Sequence, residues 1–224
     1  MGARSPRGGR SHSRSARRPH RRILVVCGGR VLEAAYLAYV AAKLRTPGLR
    51  VEIAPSGTDP VSLVREAIRL RDKENRDARS ANDTRNVFDT VWVMLDVDGF
   101  VDRIAAALLL AERNDIRCAV SNPSFEIWLL WHKVDADLHL SRVEAFRWAE
   151  RCGIVQASIP KSIQTHALTG QFNKARDRAV LTDTMHSREG RTNPQNNPSS
   201  DVHILIDEIV RGAALARTEE DLML

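Results

Sequence analysis

The run Val91-Trp92-Val93-Met94-Leu95-Asp96-Val97-Asp98 constrains this chain more than any other segment. Five successive apolar residues break off into two carboxylates two positions apart. A strand that is apolar on both faces has to be covered on both, so it belongs inside a parallel sheet between helices. In such sheets the ligand crevice lies beyond the carboxyl ends of the strands. Asp96 and Asp98 are therefore expected at that crevice. Neighbouring acids repel unless a positive charge is shared between them, and a hard cation bound through oxygen, Mg²⁺ or Mn²⁺, is the expected companion. The plainer alternative is a solvated turn, since Asp98-Gly99 is also a turn dipeptide.

The flanking sequence alternates strands and helices, which implies an α/β fold with a parallel sheet and right-handed crossovers. A strand at 23–27 precedes Gly28-Gly29 and a helical pattern over 31–44. A second strand is expected at 50–54. Pro55-Ser56-Gly57-Thr58 then starts a helix whose apolar face carries Val61, Val64 and Ile68. Residues 72–86 read as a charged connection. A helix over 101–113 and a strand over 116–120 complete the alternation. Ser121-Asn122-Pro123 is expected to cap a helix running through Phe125 to Trp131, since proline suits a first helical turn. Further helices are expected at 141–152, 169–182 and 201–216, with a loop over 187–200. The organisation is thus a basic tail (1–22), an α/β core (23–135) and a helical C-terminal extension (136–224).

Charge separates the tail from the rest. Residues 1–22 carry eight arginines and no acid, leaving 26 basic against 28 acidic residues elsewhere. The high isoelectric point therefore belongs to the tail, whose Ser, Gly and Pro content predicts disorder. Such a tail can collect DNA or RNA through phosphate contacts. The alternatives are a solubilising extension or a start assigned upstream of the true one. No run of about 18 apolar residues exists, so no membrane helix is expected. Cys27, Cys118 and Cys152 are odd in number and far apart, which points to a reducing cytoplasm and away from a zinc site.

Several motifs together resemble the RloB-like family. The opening Ile23-Leu24-Val25-Val26-Cys27 with Gly28-Gly29 and Glu33 is similar to that family's first strand and turn. Leu95-Asp96-Val97-Asp98 matches a second motif. Ser121-Asn122-Pro123-Ser124-Phe125-Glu126-Ile127-Trp128-Leu129-Leu130 matches its most distinctive signature. Asn197-Pro198-Ser199-Ser200-Asp201-Val202-His203 resembles its C-terminal motif. The resemblance implies a Toprim-like Rossmannoid core with Mg²⁺-dependent phosphoryl-transfer chemistry. It also implies a nuclease of phage defence by abortive infection, with a separate AAA/ABC-type ATPase as partner, since no Walker-type phosphate loop occurs here.

One position departs from the pattern. The family motif Cys-Glu-Gly-x-x-Thr-Glu reads Cys27-Gly28-Gly29-Arg30-Val31-Leu32-Glu33 here. The first Glu, implied to be a metal ligand or general acid–base, is Gly28. Glycine can neither coordinate through a side chain nor move a proton. Two residues are candidates to compensate: Glu33, from the first helix, and Glu126, just inside the helix after the fourth strand. The bland reading of Glu126 is a first-turn carboxylate favoured by the helix dipole.

Phosphate contacts are candidate roles for Arg30, beside a Gly28-Gly29 whose plainer reading is a tight turn, and for Lys161, Lys174 and Arg178, for which a solvated face is the alternative; Asn122, a capping residue first, is a site residue only as the resemblance implies. Trp128 and Trp131, three apart on an apolar helix, are expected in the core. His132 ends that helix, where an imidazolium would suit the dipole. Oligomeric state is open, a homo-oligomer included.

Overall fold

A computed structural model describes residues 21–28, 31–45, 49–53, 57, 59–83, 87–158 and 161–214. The basic tail up to residue 20 lies outside the described residues. Four parallel strands form the sheet: β1 (Ile23–Cys27), β2 (Leu49–Ile53), β3 (Thr90–Asp96) and β4 (Arg117–Asn122). A short β7 (Ser199–Ser200) closes the edge antiparallel to β4, giving the order β2-β1-β3-β4-β7.

The double-sided apolar strands sort by alternation into two cores. Leu24, Val26, Val91, Val93 and Leu95 face one way, onto α2 (Pro60–Ser80) and α3 (Val101–Glu112). Ile23, Val25, Cys27, Trp92 and Met94 face the other. They meet α1 (Leu32–Leu44), α4 (Glu126–Trp131), α6 (Phe172–Arg188) and α7 (Val202–Ala214). The helical region after residue 135 therefore shares the sheet's core. Glu208 of α7 reinforces the join: its Oε2 accepts from the Trp92 indole at 3.1 Å and pairs with Arg117. No helix among the described residues is long and apolar enough to cross a membrane.

Four local expectations are corrected. Residues 72–80 continue α2 as helix. Lys, Glu, Arg and Ala there are good helix formers, and the extra turns dock by polar contacts that apolar periodicity cannot register. Arg50 of β2 donates to Glu74 at 2.6 Å. Ser121 and Asn122 are the last residues of β4 and not a helix cap. Their partners Ser199 and Ser200 lie far along the chain, with Ser121 Oγ and Ser200 Oγ 2.9 Å apart. The same pairing turns the end of the expected 187–200 loop into β7. Finally, α6 runs on to Arg188, because its inner face is completed by Thr182 and His186, polar but buried.

A small hairpin, β5 (Val155–Gln156) with β6 (Ser162–Ile163), follows α5 (Arg142–Arg151). α5 begins with a reciprocal capping box. Ser141 Oγ accepts from the Glu144 amide at 3.3 Å, and Glu144 Oε2 accepts from the Ser141 amide at 2.8 Å. Ser141→Ala is expected to cost about 0.5–2 kcal/mol, measured by urea denaturation. A midpoint unchanged in the variant would show that α5 needs no cap.

Candidate functional site

In the order β2-β1-β3-β4, the chain leaves β1 toward one edge and returns on the other side at β3. The connections therefore diverge between the carboxyl ends of β1 and β3, where open α/β sheets bind ligands. A pocket of about 140 Å³ lies there, walled by Val31, Leu32, Glu33, Asp96, Phe125, Glu126, Arg142 and Lys161. Three of the carboxylates singled out from sequence thus meet in one place.

Each is delivered by a different element. Asp96 ends β3, its side chain 17% exposed, and its Oδ1 accepts the Phe125 amide at 2.9 Å. Glu33 comes from the first turn of α1. Glu126 opens α4 and is buried; Ser124 Oγ donates to its Oε2 at 2.7 Å. Gly28 directly follows β1 and brings no side chain, so Glu33 is the acid this connection supplies.

Burial, then the charges of Glu33 and Glu126, pushes the Asp96 carboxyl well above the usual range. Burial chiefly, with Glu126 adding, raises Glu33 as well. Both shifts state that the carboxylates need a proton or a cation between them. Two cations reach the wall. The Arg142 guanidinium lies 3.8 Å from Asp96 Oδ2. Lys161, exposed, carries its ammonium 4.0 Å above the Phe146 ring of α5.

Among the described residues, no three His, Cys, Asp or Glu side chains converge closely enough to hold a metal ion as they stand. The donors are still of the right chemistry for Mg²⁺ or Mn²⁺. Mg²⁺ is ordinarily held by one or two carboxylates, with waters and phosphate oxygens completing the shell, and not by an all-protein cage. The volume points the same way. At about 30 Å³ per water, a pocket of about 140 Å³ has room for a partly hydrated ion or a phosphate group. It is smaller than the ~300–1,000 Å³ of sites that enclose a whole small molecule.

The remaining sequence candidates lie elsewhere. Asp98 does not line the pocket; its Oδ2 accepts the Arg142 amide at 3.0 Å. Asn122 is buried, its Nδ2 donating to the Pro194 carbonyl at 2.9 Å and to Asn196 Oδ1 at 3.1 Å. Lys174 is exposed on α6 and does not line the pocket. Arg178 is bonded to Asp135 and to the Trp131 carbonyl. Arg30, with Gly29, lies outside the described residues.

The expected imidazolium at His132 is corrected: the ring is buried, and burial pushes its pKa down to about 4. Its Nδ1 is 3.0 Å from the Trp128 carbonyl and its Nε2 is 3.5 Å from the Tyr36 hydroxyl. That geometry assigns a neutral ring, Nδ1–H donating and Nε2 accepting. Trp128 and Trp131 are core residues, as expected. The residue that sequence reasoning missed is Arg142. The Ser141-x-x-Glu144 cap does mark a helix start there, but nothing local says that this start faces the end of β3.

A family model described as RloB-like protein matches residues 23–209. No curated protein and no solved structure matches the chain.

Proposed function

The chain belongs to the RloB-like family, and on that premise we propose that it hydrolyses phosphodiester bonds in DNA or RNA with Mg²⁺ or Mn²⁺. The observation that carries this reading is the pocket in which Glu33, Asp96 and Glu126 face Arg142 and Lys161. Asp96 would hold the cation, with Glu126 and Glu33 beside it to share the charge or to orient and deprotonate water. A bound divalent ion would polarise the phosphoryl oxygen and stabilise the leaving oxygen. The chain's own cations would steady the anionic backbone, and the basic tail would raise its local concentration. The Toprim-like classification, the phage-defence role by abortive infection and the ATPase partner rest on the family resemblance alone.

Gly28 favours a second reading, a catalytically impaired Toprim-like subunit that binds nucleic acid or regulates an ATPase in a defence complex. Titration of Mg²⁺ and Mn²⁺ on duplex DNA and tRNA, with wild type and Gly28→Glu, separates the two. The nuclease reading expects cleavage by wild type, abolished by EDTA. It also expects a gain of up to about 10²–10⁴-fold in Gly28→Glu if that carboxylate is the missing acid–base group. Binding without cleavage by wild type would establish the second reading. No cleavage by either protein would end the first.

A further inference from the structure

Asp98 and Arg142 are joined by one hydrogen bond that links the end of β3 to the start of α5 across 44 residues of chain. The first amides of a helix have no partner within it. α5 satisfies two of them from outside: Ser141 accepts the Glu144 amide, and Asp98 accepts the Arg142 amide. Asp98 is itself fixed, its own amide donating to the Pro123 carbonyl at 2.9 Å. The second acid of the Asp-x-Asp pair is therefore already committed to α5.

What α5 presents to the pocket is positive. Arg142 stands at its first position, and Lys161 rests on the ring of its Phe146. At 3.8 Å from Asp96 Oδ2 the Arg142 guanidinium is an electrostatic neighbour of that carboxylate but too far for a hydrogen bond. Among the described residues its side chain donates no hydrogen bond, although it is only 42% exposed. A guanidinium held with its donors open beside an acidic pocket is suited to the paired oxygens of a phosphate. Lys161 adds a point charge on the same wall.

We infer that Asp98 is the anchor of α5 and not a ligand of the cation, and that Arg142, with Lys161 beside it, is the seat for the anionic oxygens of a phosphodiester. This rests on the phosphodiester reading of the pocket and assigns its two sides: carboxylates from β3, α1 and α4 on one, the arginine of α5 on the other. Asp98 acts through Arg142, so it is a positioning residue.

Thermal melting of the full chain tests this with two separate probes: Mg²⁺ alone, and inorganic phosphate against chloride at equal ionic strength. Wild type should respond to both. Arg142→Ala and Asp98→Ala should weaken phosphate binding by about tenfold to a hundredfold while keeping the Mg²⁺ response. Asp98→Asn should keep both responses, because its amide oxygen can still accept the Arg142 amide. Loss of the Mg²⁺ response in Asp98→Asn would make Asp98 a metal ligand and overturn the inference. A full phosphate response in Arg142→Ala, or none in wild type, would overturn it too. Should Asp98→Ala fail to fold, Arg142→Ala and Asp98→Asn still decide. Failure of the nuclease reading would look different, as absent cleavage with both probe responses intact.

Discussion

Asp96→Asn is expected to abolish metal-dependent cleavage while making the metal-free protein more stable near neutral pH. The two effects share one cause. The Asp96 carboxyl is pushed well above the usual range, by burial and then by Glu33 and Glu126. Its folded state therefore binds a proton more tightly than the unfolded chain. Stability from that proton is fully present below the ordinary Asp value of 3.8 and is lost as pH rises through the higher folded value. At about pH 8 the wild-type protein carries this penalty unless a cation is bound. Asparagine removes the charge yet keeps an oxygen for the Phe125 amide, which Asp96 Oδ1 accepts at 2.9 Å.

Activity moves the other way. On the nuclease reading, a bound cation stabilises transition-state charge by several kcal/mol, so removing the carboxylate proposed to hold it should lower the rate by about 10³-fold or more. Denaturation in EDTA from about pH 5 to pH 8 checks the first effect, and cleavage with Mg²⁺ the second. Mg²⁺ should also raise the wild-type midpoint, increasingly so as pH rises, and leave Asp96→Asn unchanged. An Asp96→Asn protein that is less stable than wild type at every pH would refute the repulsion. One that still cleaves would refute the metal assignment.

The fold was legible wherever burial is two-sided and local in sequence. β1, β3 and the helices between them follow from runs such as Ile23 to Cys27 and Val91 to Leu95, which have to be covered on both faces. The candidate site was legible in part for the same reason: a strand that ends in Asp96 must deliver it to the crevice. Glu33 and Glu126, each just inside a helix that follows a strand, share that logic. Illegible were the features fixed by distant partners. Ser121 and Asn122 look like helix caps until Ser199 and Ser200 pair with them. The charged turns of α2 look like a loop until Arg50 meets Glu74. Arg142 is in neither the apolar pattern nor the motif set, and the Asp98 carboxylate that accepts its amide lies 44 residues away in the chain.

Trp128→Ala is expected to cost about 3–5 kcal/mol of stability. α4 has only six residues, too few to be helical through its own hydrogen bonds. Its position depends on what surrounds its side chains. The Trp128 ring, fully buried, meets three others edge-on: Tyr36 of α1 at 6.2 Å, His132 at 5.0 Å and Phe172 of α6 at 6.0 Å between centroids. Alanine would leave a cavity bordered by α1, α4 and α6 together, in a domain whose total stability is typically about 5–15 kcal/mol. Urea denaturation measures the loss, and a cost below about 1 kcal/mol would show that the three helices collapse around the gap. The effect should also reach the pocket. Glu126 lies two residues before Trp128 on the same short helix, and Glu33 is carried by the α1 helix that Tyr36 packs. Loosening α4 moves one wall of the pocket, and a misplacement of about 1 Å can cost roughly a hundredfold in rate. Cleavage should therefore fall even at temperatures where Trp128→Ala remains folded. Full activity in the folded variant would mean that Ser124 and the Phe125–Asp96 contact hold Glu126 without help from the core.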